Sequence, residues 1–204
     1  MIEDLIKKFD SALQDVDNPL LKQPLFYNSP IGIRFEIGYG DIDKKENYLN
    51  NAVNRLVQIY NHKAFNPDIL RINVIEDDCF VSKPNILDVC KTIGLGEFVE
   101  RIEKSDIDEE VLVEHQLYWK IGKDDFDYKK LFFEIVHGDF GGNRGFVSSV
   151  YFLDTENTII FYPYDDRGAD LVASDREKIR CFYNSFYEWI LDYDRDMIYE
   201  LFSK

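Results

Sequence analysis

From residue 111 onward, apolar and polar residues alternate in blocks at 111–121, 130–137, 146–153 and 158–164. Between the blocks lie turn formers: Lys123-Asp124-Asp125, Gly138 to Gly145, and Asp154 to Asn157. A period of two places successive side chains on opposite faces of a pleated strand. Strands joined by connections this short pair antiparallel. The C-terminal half is therefore expected to be an antiparallel meander, with a last short strand at 169–173.

The N-terminal half mixes both periods. The segment SPIGIRFEIG puts Ile31, Ile33, Phe35 and Ile37 on one face and Arg34 and Glu36 on the other, as a strand does. ILRINVIE, 69–76, reads as a second strand. Residues 46–62 carry a helical stripe of Leu49, Ala52, Val53, Leu56 and Tyr60. MIEDLIKKFDSALQ is an amphipathic helix rather than a signal peptide, with Ile2, Leu5, Ile6, Phe9, Ala12 and Leu13 on its apolar side. Residues 85–104 suggest two short helices broken at Gly94 and Gly96, and Ser105 to Glu110 an acidic surface loop. Ser174 and Glu177 form a capping box ahead of a long helix, about 175–191, whose Phe182, Phe186 and Ile190 should pack on the sheet. A final helical turn buries Met197, Ile198, Leu201 and Phe202. The expectation is a single α+β domain spanning 1–204: an antiparallel sheet of roughly five or six strands covered by helices on one face, with a long C-terminal helix.

Charge narrows the function classes. Lys plus Arg is 24 and Asp plus Glu is 39, a net charge of −15. Such a surface repels phosphate backbones and anionic headgroups, so neither nucleic acid nor membrane is expected as a partner, and basic proteins or cations are favoured. No apolar run suffices to span a bilayer, and the chain reads as cytoplasmic. Cys79, Cys90 and Cys181 are odd in number and show no CxxC spacing, which argues against a disulfide framework and a Cys-ligated zinc.

The sharpest local feature is Tyr164-Asp165-Asp166-Arg167-Gly168 between two strands. Asp165 is expected to bond its own turn and Gly168 to take positive φ. That turn chemistry does not account for Asp166 and Arg167 beside a further acid, Asp170. The second feature is WILDYDR, Trp189 to Arg195, in which Asp194 and Arg195 stand near the chain's end and Arg195 could reach a carboxylate of the turn. A structural ion-pair network is the favoured reading. Arg34 either joins Arg167 as an anion clamp or pairs with Glu36 or a residue of a neighbouring strand; the second reading is favoured. HGDFGGNRG, 137–145, contains a kinase-like DFG but no accompanying kinase or P-loop elements, and reads as a glycine-rich connection. His115 reads as a hydrogen-bonded core residue. His137 and Asp139 share a face at a strand end, without a metal-binding motif. No bound cofactor and no tetrahedral metal site are expected.

YDDRG, followed by a helix ending in WILDYDR and preceded by the SPIGIRFEIG strand, resembles an uncharacterised bacterial domain family marked by that YDDRG motif. The resemblance covers the whole chain and implies that Tyr164 to Gly168 and Trp189 to Arg195 are signature positions. It implies no reaction, ligand or mechanism.

Three function classes follow. The first is a non-enzymatic binding protein, such as an antidote for a basic partner. The second is a metal-dependent enzyme using Asp165, Asp166 and Asp170 with Arg167. The third is a structural interaction module. For the first, the negative charge is concentrated: Glu97 to Asp127 holds eleven acids against four bases. Asp106, Asp108, Glu109 and Glu110, together with Asp124, Asp125 and Asp127, would make one acidic patch if their two segments lie on adjacent strand ends.

Overall fold

The computed structural model describes residues 2–75, 82–107, 110–141 and 149–203, with backbone alone at 2–3, 105–107 and 110–112. Seven strands form one fully antiparallel sheet. They are β1 (Gly32–Glu36), β2 (Ile69–Ile75), β3 (Val99–Ile107), β4 (Glu110–Lys120), β5 (Ser149–Asp154), β6 (Ile159–Pro163) and β7 (Gly168–Ala173). Their spatial order is β1-β7-β6-β5-β2-β4-β3. The meander expected in the C-terminal half is present as β5-β6-β7, and β1 closes it by pairing with β7.

Helices sit on both faces. α2 (Lys45–Tyr60), α3 (Lys83–Thr92), α4 (Tyr128–His137), α5 (Arg176–Ser185) and α6 (Arg195–Ser203) contribute to a large core built on Phe35, Ile72, Trp119, Phe152 and Phe161 of the sheet. Rings dominate it: Tyr60, Phe65, Phe132 and Phe182 are fully or almost fully buried and meet edge to face. The opposite face, expected to be bare, carries α1 (Ile2–Asp15). Its Phe9, Ala12 and Leu13 pack on Tyr118, Tyr151, Leu153 and Ile160. Both faces are apolar because strand residues feed the two cores alternately, as in Ile69 and Leu70.

The structure corrects four local readings. Residues 130–137 form part of helix α4 instead of a strand: Leu131 and Ile135, and Phe132 and Val136, are buried at i,i+4 spacing, and Asp127 caps the start by accepting from the Lys130 amide at 3.0 Å. The Phe- and Ile-rich composition imitates a strand. Residues 99–104, read as helix, and 105–107, read as loop, form β3. This is an edge strand, and charged residues along such strands hide the period of two. The acidic segment is accordingly strand where it is described, with Ile107 of β3 opposite Glu110 of β4, and Asp108 and Glu109 lie outside the described residues. The start of α5 shifts by one residue, since Asp175 rather than Ser174 accepts from the Glu177 amide.

The long C-terminal helix is a ten-residue helix that ends at Ser185. Phe182, Phe186 and Ile190 are all buried as expected. Ile190, however, leaves the helical path to bridge Phe35 of β1, and the Leu191 amide donates to the Arg34 carbonyl at 3.0 Å. Among the described residues, no helix is long and apolar enough to cross a membrane.

Candidate functional site

The YDDRG segment connects β6 to β7. Asp165 Oδ1 accepts from the Arg167 amide at 2.7 Å and the Gly168 amide at 3.1 Å, an Asx turn that fixes the connection. Its Oδ2 accepts from Arg167 Nε at 2.8 Å and also from Nη2, so Arg167 folds back on its own turn. Gly168 is not among the positive-φ residues, contrary to expectation; it is the first residue of β7. Its glycine requirement comes from close approach: a Cβ there would lie 1.8 Å from the Tyr164 hydroxyl. Tyr164 is thus laid across its own hairpin, and burial raises its pKa, with the charge of Asp170 acting the same way.

Asp166 points elsewhere. It is buried and accepts from the Tyr48 hydroxyl of α2 at 2.9 Å. Burial raises the Asp166 pKa, although the Tyr48 hydrogen bond opposes the shift. Burial pushes Tyr48 up to about 12, assisted by its hydrogen bond to Asp166.

Asp170 is fully buried and meets Arg34, its direct partner in the β1–β7 register, through Nε at 2.7 Å and Nη2 at 2.9 Å. The Phe26 amide adds a third hydrogen bond to the same carboxylate, 3.0 Å to Oδ2. Burial alone would lower the Arg34 pKa; the hydrogen bonds and charge of Asp170 outweigh it and raise the value. The guanidinium also lies over Tyr27, 4.6 Å from the ring centroid, and near Tyr164, at 5.6 Å. The Tyr27 hydroxyl donates to Asp194 Oδ1 at 2.7 Å. Arg34 therefore draws together the three segments on which the resemblance rests. Its side chain holds the YDDRG hairpin strand, its carbonyl holds Leu191 of WILDYDR, and Tyr27 relays it to Asp194.

Arg195 stays outside this convergence. It pairs with Asp192 at 2.6 Å and donates to the carbonyls of Tyr187 and Ile190, closing the turn that follows α5, instead of reaching the YDDRG carboxylates. Arg34 and Arg167 form no common clamp, each being paired with its own acid.

A different carboxylate group forms at the turn. Oxygens of Asp139, Asp165 and Asp166 lie within 4.8 Å of one another. Three hard oxygen donors suit a divalent cation of the Ca²⁺ or Mg²⁺ kind. Asp139 stands in this group where Asp170 was expected. His137 stands apart, stacked on Phe133 and bonded to its carbonyl at 2.8 Å. Nothing local in the sequence links Asp139 or Tyr48 to the turn; both arrive through helix packing.

The proposed acidic patch divides. Asp124 and Asp125 are exposed in the turn after β4, where Asp125 accepts from the Gly122 amide at 2.8 Å. Asp106, Asp108, Glu109 and Glu110 lie outside the residues whose side chains are described. The backbone of Asp106 and Glu110 lies at the opposite end of β4, which is eleven residues long, roughly 30 Å from the turn of Asp124 and Asp125.

A stretch of 54 residues is 37% identical to the uncharacterized protein YnaE of Bacillus subtilis (strain 168); it makes up 26% of this chain and 25% of that one. No solved structure matches the chain. Residues 7–194 match the family described as domain of unknown function (DUF3885), and the chain belongs to that family.

Proposed function

We propose that this is a non-enzymatic, cytoplasmic binding protein of the immunity or antidote type, directed at a basic protein. The observation that carries the reading is the exposed face that begins at WILDYDR. Tyr193 is 87% exposed, and Tyr199 and Met197, the latter contrary to the burial expected of it, also face solvent, among exposed Asp192, Asp196 and Glu200. Exposed Tyr27 joins them through its hydrogen bond to Asp194. Tyr and Met are enriched in interface cores, and acids around them favour a basic partner and speed its association. The signature carboxylates Asp165, Asp166 and Asp194, and Asp170 beside them, support the same reading: each accepts hydrogen bonds from within the protein. Their work is to build the scaffold that presents this face.

The test is capture of partners from the native cell with wild-type chain and with a Tyr193→Ala, Tyr199→Ala double variant of equal melting temperature. The reading expects a partner of high isoelectric point, lost in the variant and weakened by moderate salt. An acidic partner, or retention by the variant, overturns it. The alternative, a metal-dependent enzyme, rests on the grouping of Asp139 with Asp165 and Asp166. Stoichiometric Mn²⁺ binding that disappears in Asp139→Asn would favour that alternative.

A further inference from the structure

Arg71, on β2, takes no part in the convergence on Arg34. It is only 3% exposed. Buried charges are ordinarily paired with an opposite charge, because desolvating an ion without a partner is costly. Among the described residues, Arg71 forms no ion pair. Its Nε donates to Asn73 Oδ1 at 2.6 Å, and neither Nη has a hydrogen-bond partner among the described residues. The flat faces are occupied instead: Phe9, Tyr118 and Tyr151 lie 5.1, 5.3 and 6.0 Å from the guanidinium carbon. Burial lowers the Arg71 pKa, but a guanidinium remains charged at neutral pH.

The sheet register explains how this group is held. On the α1 face, Arg71 stands between Tyr118 of β4 and Tyr151 of β5. The next row is Arg101, Gln116, Asn73 and Ser149, across β3, β4, β2 and β5. Glu114 accepts from the side-chain amides of Asn73 and Gln116, which turns their oxygens toward the Nε atoms of Arg71 and Arg101. Arg101 is then neutralised by Asp10 at 2.7 Å and Glu103 at 3.2 Å. No acid of the described residues touches Arg71 directly; Glu114 acts on it only from beyond Asn73, its charge favouring the charged guanidinium.

Arg71, Asn73, Arg101, Gln116, Ser149 and Tyr151 line a cavity of about 420 Å³, beneath the segment that follows α1. Leu20, Leu21 and Ile75 supply an apolar rim; Gln23, which donates to Ser149 Oγ at 3.0 Å, and Tyr151 supply polar groups. We propose that the cavity binds a small amphiphilic monocarboxylate, with its carboxylate on the Nη edge of Arg71 and its apolar body against Leu20, Leu21 and Ile75. A guanidinium edge matches a carboxylate through two parallel hydrogen bonds. Glu103 and Glu114 line the same cavity and disfavour a second negative charge on the ligand.

The experiment titrates the ¹⁵N-labelled full chain with sodium hexanoate, and in parallel with sodium acetate and inorganic phosphate. Hexanoate is expected to give saturable shifts at Gln23, Asn73, Gln116 and Ser149, with acetate weaker and phosphate weakest. Arg71→Met should weaken hexanoate at least tenfold, with a melting temperature equal to or above wild type, since it removes a buried charge lacking an ion pair. Arg71→Lys keeps the charge without the planar fork, and should bind hexanoate between the two. Shifts that fail to saturate, or an undiminished response in Arg71→Met, would overturn the site. If Arg71→Met does not fold, Arg71→Lys binding hexanoate as wild type does would show Arg71 to be a packing element only. Phosphate binding more tightly than hexanoate would overturn the ligand class.

Discussion

Arg34 and Asp170 face each other across the β1–β7 pair, joined at 2.7 and 2.9 Å, with the carboxylate wholly buried. Breaking a buried pair leaves a charge without compensation. Replacing both partners with apolar groups of similar volume removes that cost. Arg34→Ala or Asp170→Ala should therefore lower stability by about 3–5 kcal/mol, and Arg34→Met with Asp170→Leu should recover much of it. Urea unfolding of the three variants checks this; additive losses in the double variant would contradict it.

Gly168→Ala should destabilise by roughly 1–3 kcal/mol, the usual cost of overpacking. The cause is the Cβ directed at the Tyr164 hydroxyl, rather than backbone strain. The variant that distinguishes the two causes is Gly168→Ala in a Tyr164→Ala background, where the added methyl should cost almost nothing. An equal loss in both backgrounds would return the explanation to the backbone.

Asp166 should make stability fall as pH rises. Its pKa is raised in the folded state, so the unfolded chain ionises first. The contribution is most favourable below the ordinary carboxylate value, and is lost as pH climbs through the folded pKa. Asp166→Asn removes this dependence. Its stability relative to wild type should improve between pH 3 and pH 7, as measured by chemical denaturation at several pH values. No relative change over that range would refute the assignment.

The two acidic segments at opposite ends of β4 should act independently on a basic partner. Serine replacement of Asp106, Asp108, Glu109 and Glu110 and of Asp124 and Asp125 should give additive changes in association rate, each diminished by salt. A rate loss from both sets that departs clearly from the sum, measured by stopped-flow association, would show that they act as one patch.

The sequence by itself determined the elements whose burial is local and regular. β1, β2, β4, β6 and β7 are legible as short strand segments, α2 carries its stripe, and the antiparallel α+β class follows from them. It also marked the Asp165 turn, because an Asx turn is closed within three residues. Where two periods competed, it misled. Phe- and Ile-rich α4 read as strand, and the first six residues of the charged edge strand β3 read as helix. The partners of the signature residues were decided only in three dimensions. Asp170 lies 136 positions from Arg34, Tyr48 lies 118 from Asp166, and Tyr27 lies 167 from Asp194. A cross-strand register and helix packing make these contacts, and neither leaves a trace in local spacing. Arg71 shows the same limit: within ILRINVIE it is one polar residue in a strand, and only the sheet reveals a buried guanidinium with no ion pair among the described residues.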